Sequence, residues 1–336
     1  MRLVHPVSFW HHLGGEAAGH PSKRIPPRLG YYGACVMRNF EIDEIRSELD
    51  GLVRKLPLSF EMFPPSTDKG RTNLATTVDR LAYFATEGFS VTMGAGGSTK
   101  HGTLETARNI AERSGRPVKA HLIALGRSRE EVLLEADLFW QAGITRVLAL
   151  RGDQPRSGES RIKESYRHAS DLVAALSKRH DFEISVAAYP EKHPEAASLE
   201  EDIDHLKRKL DSGASRAICQ FVLQPEAYAR FLDKCASRGV TAPIIPGLMP
   251  LENWPRVRAL AEANGTAIPE ILDRLFADLE NTADERRLAT MALLIEHARQ
   301  FVAYGAPALH VYALNRWQTP LALARVLRRP DSASED

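Results

Sequence analysis

Cysteine is scarce in this chain: among 336 residues only Cys35, Cys219 and Cys235 carry thiols. An odd count without a CxxC spacing argues against a disulfide framework and a structural zinc site, and makes a reducing cytoplasm the expected setting. Long apolar runs are missing too. None approaches the ~20 residues that span a bilayer, and the N-terminal stretch lacks the apolar core of a secretory signal. Neither sign of charge is in excess: Lys plus Arg number 44 against 43 for Asp plus Glu, a net charge of +1. No global field therefore draws the protein to nucleic acid or anionic lipid, and small-molecule partners are expected.

What is present is a rhythm. Eight short β-prone runs, LSFEMF (58–63), FSVTMG (89–94), VKAHLIAL (118–125), RVLALRG (146–152), EISVAAYP (183–190), RAICQFVL (216–223), APIIPGLMP (242–250) and ALHVYAL (308–314), are mostly separated by one amphipathic helix. Repeated βα units imply a parallel sheet, and the length suits a (β/α)8 TIM barrel of about 250 residues plus extensions. A doubly wound open sheet is the alternative, disfavoured because no dominant glycine-rich fingerprint follows the first strand. After residue 250 the gap is longer and carries helical stretches at roughly 254–280 and 284–304. Ser128/Glu131 and Ser198/Glu201 have capping-box spacing, and Gly115, Gly143, Gly213 and Gly305 stand where helices should stop. Residues 1–36 read as an irregular extension, 37–328 as the barrel and 329–336 as a polar tail. Met37 opens an amphipathic stretch and is a candidate start codon.

In a barrel of this kind, chemistry belongs at the C-terminal ends of the strands. Glu61, Thr92, His121, Asp153, Tyr189, Gln220 and Arg316 fall at that level. Thr92 and Tyr189 are equally compatible with ordinary strand positions, and His121 with a hydrogen-bonded core histidine. Glu61 differs, because a carboxylate between Phe60 and Met62 is costly to bury unless paired or protonated. Leu150-Arg151-Gly152-Asp153 likewise adds opposite charges to the end of an apolar strand. The Gly94–Thr99 run would allow close approach of a phosphate or a flat ring, or simply turn the chain; it is neither a Walker A loop nor G-x-G-x-x-G. On the helix SLEEDIDHLKRKLDSG, Leu199, Ile203, Leu206 and Leu210 form the buried stripe, while Asp202, His205 and Lys209 share another face. That face is either solvated or offers Arg208 and Lys209 to a diphosphate and Asp202 to a ribose or an adenine.

Taken in order, SFEMFPP, VTMGAGGST, AHLIALGRS, LALRGD, SVAAYPEKHPEA, LKRKLDSGA, CQFVLQPEAY, PIIPGLMP and HVYALNR closely resemble the bacterial methylenetetrahydrofolate reductases, from about Leu58 to Leu327. The resemblance implies a TIM barrel that holds FAD non-covalently. It implies an enzyme that reduces the flavin with NADH or NADPH, then passes hydride to 5,10-methylenetetrahydrofolate in a ping-pong cycle. Glu61 would be the general acid, and Asp153 the charge that tunes the flavin and favours a cationic iminium. Gln220, Arg256 and Arg316 would meet substrates, and Thr92 the nicotinamide cofactor. FAD would be held by Met93, Ala95, His121, Arg151, Gly152, Asp153, Ala169, Tyr189, His193, Ala196, Asp202, His205, Arg208 and Lys209. A homo-oligomer in the methionine branch of one-carbon metabolism is the corresponding expectation.

Departures from the resemblance are specific. Met93 stands where Tyr is common, His205 where Asn is, and His168 where Tyr precedes Ala169. Arg256 replaces a Gln, and Leu260 an aromatic that stacks on substrates; Arg256 is suited to a folate glutamate tail. These changes keep open a flavin barrel for another one-carbon or amine substrate. A non-catalytic folate-binding homologue is the other alternative, and retention of both Glu61 and Asp153 opposes it.

Overall fold

A computed structural model describes residues 56–93, 100–152, 165–279 and 282–327. Ala95, Asp153, the Gly94–Thr99 run, the N-terminal extension and the C-terminal tail lie outside the described residues. Eight parallel strands close in chain order into a barrel: β1 (Leu58–Met62), β2 (Gly88–Val91), β3 (Val118–Ile123), β4 (Arg146–Leu150), β5 (Glu183–Ala188), β6 (Arg216–Phe221), β7 (Ile244–Leu248) and β8 (Leu309–Val311). The last pair, β8 to β1, is joined by Leu58↔Leu309 and Phe60↔Val311. The fold is therefore the (β/α)8 TIM barrel and not an open sheet.

All eight expected strands are present, and the observed ladders stop one to three residues short of the expected ends. The reason is local. Residues at the strand ends turn away to build the mouth, as Leu314 and Asn315 do with φ of 50° and 56°. Between the strands run α1 (Asp68–Leu81), α2 (Lys100–Ser114), α3 (Arg129–Gln141), α4 (Ala169–Arg179), α5 (Leu199–Asp211), α6 (Pro225–Ser237), α7 (Trp254–Asn264), α8 (Glu270–Asp278), α9 (Ala283–Ala303) and α10 (Gln318–Leu327). The expected single stretch 254–280 is two helices, because Gly265 ends α7 in the left-handed region (φ 71°) and Pro269 precedes α8.

Caps appear where the sequence placed them, with one difference. Ser128 and Glu131 form the complete box on α3. On α5, Ser198 accepts from Glu201 N, but the Glu201 carboxylate takes Ala197 N at 2.8 Å instead of the cap residue's own N–H. Strand alternation divides the side chains into two sets. Leu58, Phe60, Met62, Phe89, Val91, Ile184 and Val186 point outward into the apolar layer under the helices and are buried. A second apolar cluster, including Trp254 stacked on Phe276 at 5.2 Å, holds α7 to α8. Among the described residues no helix is long and apolar enough to cross a membrane.

Candidate active site

Inward-facing residues of β1, β3 and β8 meet near the mouth. Glu61 is 8% exposed. One of its oxygens, Oε2, lies 3.3 Å from His310 Nε2 and 3.4 Å from His121 Nε2. Each imidazole is held by a serine from a neighbouring strand: Ser90 Oγ to His121 Nε2, and Ser59 Oγ to His310 Nδ1, both at 2.8 Å. His121 thus unites its two readings, since it is a buried, hydrogen-bonded histidine that also faces the candidate acid.

Electrostatics correct one expectation. Burial is the largest influence on Glu61 and pushes its pKa up, as anticipated. The hydrogen bond from His310 and the charges of His121 and His310 outweigh it, so the carboxyl titrates below its ordinary 4.5. Burial meanwhile drives His121 down to about 4 against the pull of Glu61, and this imidazole is neutral at physiological pH. Glu61 in the protein alone is accordingly a carboxylate, not a stored acid.

The end of β1 is tied to the end of β8. Asn315 accepts from Phe63 N at 3.1 Å and donates to Phe63 O at 2.8 Å, while Leu314 N reaches Glu61 O at 3.2 Å. This clasp leaves Arg316 exposed on the rim of a cavity of about 420 Å³ whose wall also includes Arg256, Leu260, Phe63, Tyr312 and Trp317. Arg256 and Arg316 are therefore brought to one cavity. The Tyr312 hydroxyl donates to Cys219 O at 3.0 Å. Gly247 makes room for that ring, because a Cβ there would stand 2.7 Å from Tyr312 Cε2. Gln220 is half-buried, its Oε1 accepting from Phe221 N.

A second group of expected residues gathers around β4, β5 and α5. Tyr189 and His193 pack edge to face at 4.6 Å, and His193 N donates to Asp202 Oδ2 at 2.8 Å. Lys209 is less solvated than its place on a charged helical face suggested. Its Nζ donates to Ala187 O at 2.6 Å, and burial lowers its pKa to about 8 although Asp202 attracts the charge. Arg151 makes two bonds of 2.7 and 2.8 Å to Glu195. Gly152 (φ 92°) cannot be replaced without strain, as a Cβ would lie 2.6 Å from Ile123 Cγ2. Ala169 opens α4, Ala196 O accepts from Lys192 Nζ, and His205 lies 6.1 Å from His168. Arg208 is exposed on α5. Thr92 N donates to Met62 O. Met93 is buried with its Sδ 4.0 Å from Arg127 Nη1.

Sequence reasoning missed His310, Ser59 and Ser90. The signal existed for His310, a lone polar residue within the apolar run of β8, in the same position relative to its neighbours as Glu61 in β1. The serines carried no comparable signal.

A closed parallel barrel with a buried carboxylate and two imidazoles at its mouth defines an α/β-barrel enzyme of the kind whose chemistry sits on the strand ends. The sequence pattern described as methylenetetrahydrofolate reductase matches residues 45–327, and the chain belongs to that family. It is 35% identical over 293 residues to the 5,10-methylenetetrahydrofolate reductase of Pectobacterium carotovorum, covering 87% of this chain and 96% of that one. The Escherichia coli K12 protein of the same name is 35% identical over 286 residues, 85% and 95% of the two chains. Among solved structures, a Clostridium thermocellum protein described as binding two copies of 5-methyl-5,6,7,8-tetrahydrofolic acid shares the fold. Its TM-score is 0.54 at 15% identity, over 83% of this chain and 97% of that one.

Proposed function

We propose that the protein reduces 5,10-methylenetetrahydrofolate to 5-methyltetrahydrofolate with hydride from NADH or NADPH, through FAD, the two substrates using one site in alternation. The observation that carries this reading is the Glu61 carboxylate, buried at the mouth between His121 and His310. Opening the imidazolidine ring of the folate requires a proton on nitrogen, and the Glu61 carboxylate is placed to relay one once it has itself been protonated.

The β4–β5–α5 side fits FAD by its donor set. Lys209 keeps ammonium hydrogens beyond the one given to Ala187 O, and with Arg208 and Arg151 supplies cations for a diphosphate. Asp202 is an acceptor for a ribose hydroxyl or an adenine amine; Tyr189, His193, Ala169, Ala196 and His205 surround the same region. Thr92, Met93, Ala95, His121, Gly152 and Asp153 would complete the set nearer the mouth. When bound, FAD supplies the two-electron hydride chemistry that no side chain provides. Asp153 directly follows the Gly152 turn, and its charge would favour a cationic iminium form of the folate. Gln220 orients whichever substrate is present. Arg256 and Arg316 flank the cavity into which the anionic tail of the folate would extend.

Anaerobic stopped-flow absorbance tests the reading. The parent protein should be bleached by NADH or NADPH and recoloured by methylenetetrahydrofolate. Glu61→Gln keeps size and hydrogen bonding but cannot transfer the proton. Its flavin reduction should stay within roughly tenfold of the parent, while folate-driven reoxidation should fall by at least ~10²-fold. Equal slowing of both halves would make Glu61 structural, and an unaffected folate half would place the proton donor elsewhere.

A further inference from the structure

We propose that the barrel lumen beneath Glu61 holds ordered water that brings protons to it from Lys119 and the base of the barrel. The inference rests on the reading of Glu61 as the residue that protonates the folate.

TIM-barrel interiors are ordinarily filled with branched apolar side chains in layers. Here polar side chains share the inward positions with Leu148, Ile218 and Ile245: Ser59, Ser90, Lys119 and His121, Glu183 and Ser185, Arg216, and His310. Three buried polar atoms on the adjacent strands β5 and β6, Ser185 Oγ, Glu183 Oε1 and Arg216 Nε, make no hydrogen bond to protein. Ser185 is fully buried and stands opposite Arg216 in the register. Buried polar groups are almost always satisfied, and in a polar lumen the usual partner is internal water with two to four hydrogen bonds. Three such atoms on neighbouring strands define a site for it.

Both ends of this column lead somewhere. Above it, Ser90 is the register partner of Lys119 and bonds His121, while Ser59 bonds His310. His310 can take a proton at Nδ1 from the Ser59 side and release one from Nε2 to Glu61, the ring being reset by exchange of tautomers. Below, Lys119 is 9% exposed, attracted by Glu183 and Glu87 and repelled by Arg146 and Arg216. Those four groups are 25–28% exposed, so the base layer meets solvent. The charged and titratable groups facing the column are thus Glu61, His121, His310 and Tyr312 above, and Lys119, Glu87, Arg146, Glu183 and Arg216 below.

The chemistry explains the need. One NAD(P)H, one proton and one methylenetetrahydrofolate give NAD(P)+ and methyltetrahydrofolate; the hydride ends on the methyl carbon and the proton on the folate nitrogen. Glu61 begins as a carboxylate and must receive that proton before it can pass one to the folate. Lys119 gives a proton to the lumen water, the chain passes one to Glu61, and Lys119 regains its own from solvent at the base.

A crystal structure of the flavin-loaded full chain near ~1.5 Å should show ordered water within hydrogen-bonding distance of Ser185 Oγ and of Glu183 Oε1 or Arg216 Nε; a lumen without it overturns the proposal. Ser185→Val, which fills the space with methyl groups, and Lys119→Met should each lower kcat about tenfold. KM for both substrates and the rate of flavin reduction by NAD(P)H should be unchanged, and the solvent deuterium effect on kcat larger. Lys119→Arg keeps the charge but holds its proton, so it should remain slow; parental kcat in Lys119→Arg would assign Lys119 an electrostatic role and overturn the proton route. If Glu61→Gln abolishes the folate half-reaction while Lys119→Met and Ser185→Val are normal, only the lumen route fails. If Glu61→Gln is normal, the reading of Glu61 itself fails.

Discussion

The two ends of the barrel handle buried charge in opposite ways. At the base, Arg146 lies 3.0 Å from Glu183, and Arg216 lies 2.7 Å from Glu87 and 3.5 Å from Glu183, all partly in solvent. Cations and carboxylates there interlock. At the mouth, Glu61 faces His121 and His310, and burial makes His121 a poor cation. The same strand alternation delivers both sets inward, but only the base cancels its charges. A fold gains stability from the first arrangement and tolerates the second where chemistry needs an incompletely neutralised group.

That contrast can be broken most severely at its centre. Glu183→Gln removes the carboxylate shared by Arg146, Arg216 and Lys119, and should cost about 3 kcal/mol of unfolding free energy in denaturant titrations, in the range for breaking a buried pair. Stability unchanged within 0.5 kcal/mol, on the scale of a neutral surface substitution, would show that the base layer is solvated and not interlocked.

Lys119 sharpens the comparison, being the one cation at the base that burial penalises. Its pKa is lowered from 10.5 to about 8, so between these values the unfolded chain binds the proton that the folded chain has released. The parent should therefore gain stability as pH rises from 8 to 10.5, and Lys119→Met should gain distinctly less there, keeping only the share of Lys209, whose pKa is also lowered to about 8. At pH 7 Lys119→Met should be the more stable by up to about 3 kcal/mol, somewhat under the full worth of the lowering from 10.5 to about 8 at roughly 1.4 kcal/mol per pKa unit, because Met does not pack as the lysine stem does. A variant that is more stable yet slower would mark the lysine as retained for function. A parent curve without the alkaline rise would mean that the ammonium is well solvated.

The smallest expected effect is on the flavin side. Lys209→Ala should weaken FAD retention by about tenfold, the order of one charge-assisted contact, while leaving thermal unfolding of the flavin-free protein within a few degrees of the parent. Fluorescence on dilution reads the affinity. Parental affinity would show that the bond to Ala187 O uses Lys209 for structure alone.

Much of the fold was legible because its signals are local. Short β-prone runs between helical stretches mark all eight strands, glycine and capping residues mark helix ends, and Glu61 stands out as a single charge among apolar neighbours. The break at Gly265 was misread because helical periodicity continues on both sides of it. The sequence leaves the face of Lys209 open between solvent and a diphosphate, because periodicity locates a face but not what packs over it. His310 was passed over because a single histidine in a strand is as often structural as chemical.

By itself the sequence determined the order of strands and helices, a set of candidate residues at the strand ends, and the family to which the chain is similar. Only the tertiary structure decided that Glu61, His121 and His310 share one oxygen-to-nitrogen cluster, that Glu61 titrates low instead of high, and that polar atoms of β5 and β6 line a lumen with Lys119. The reason is geometric. Which way a side chain points is set within two residues by the pleat, whereas which inward residues meet is set by closure and stagger of strands whose paired residues lie up to 251 apart in the chain.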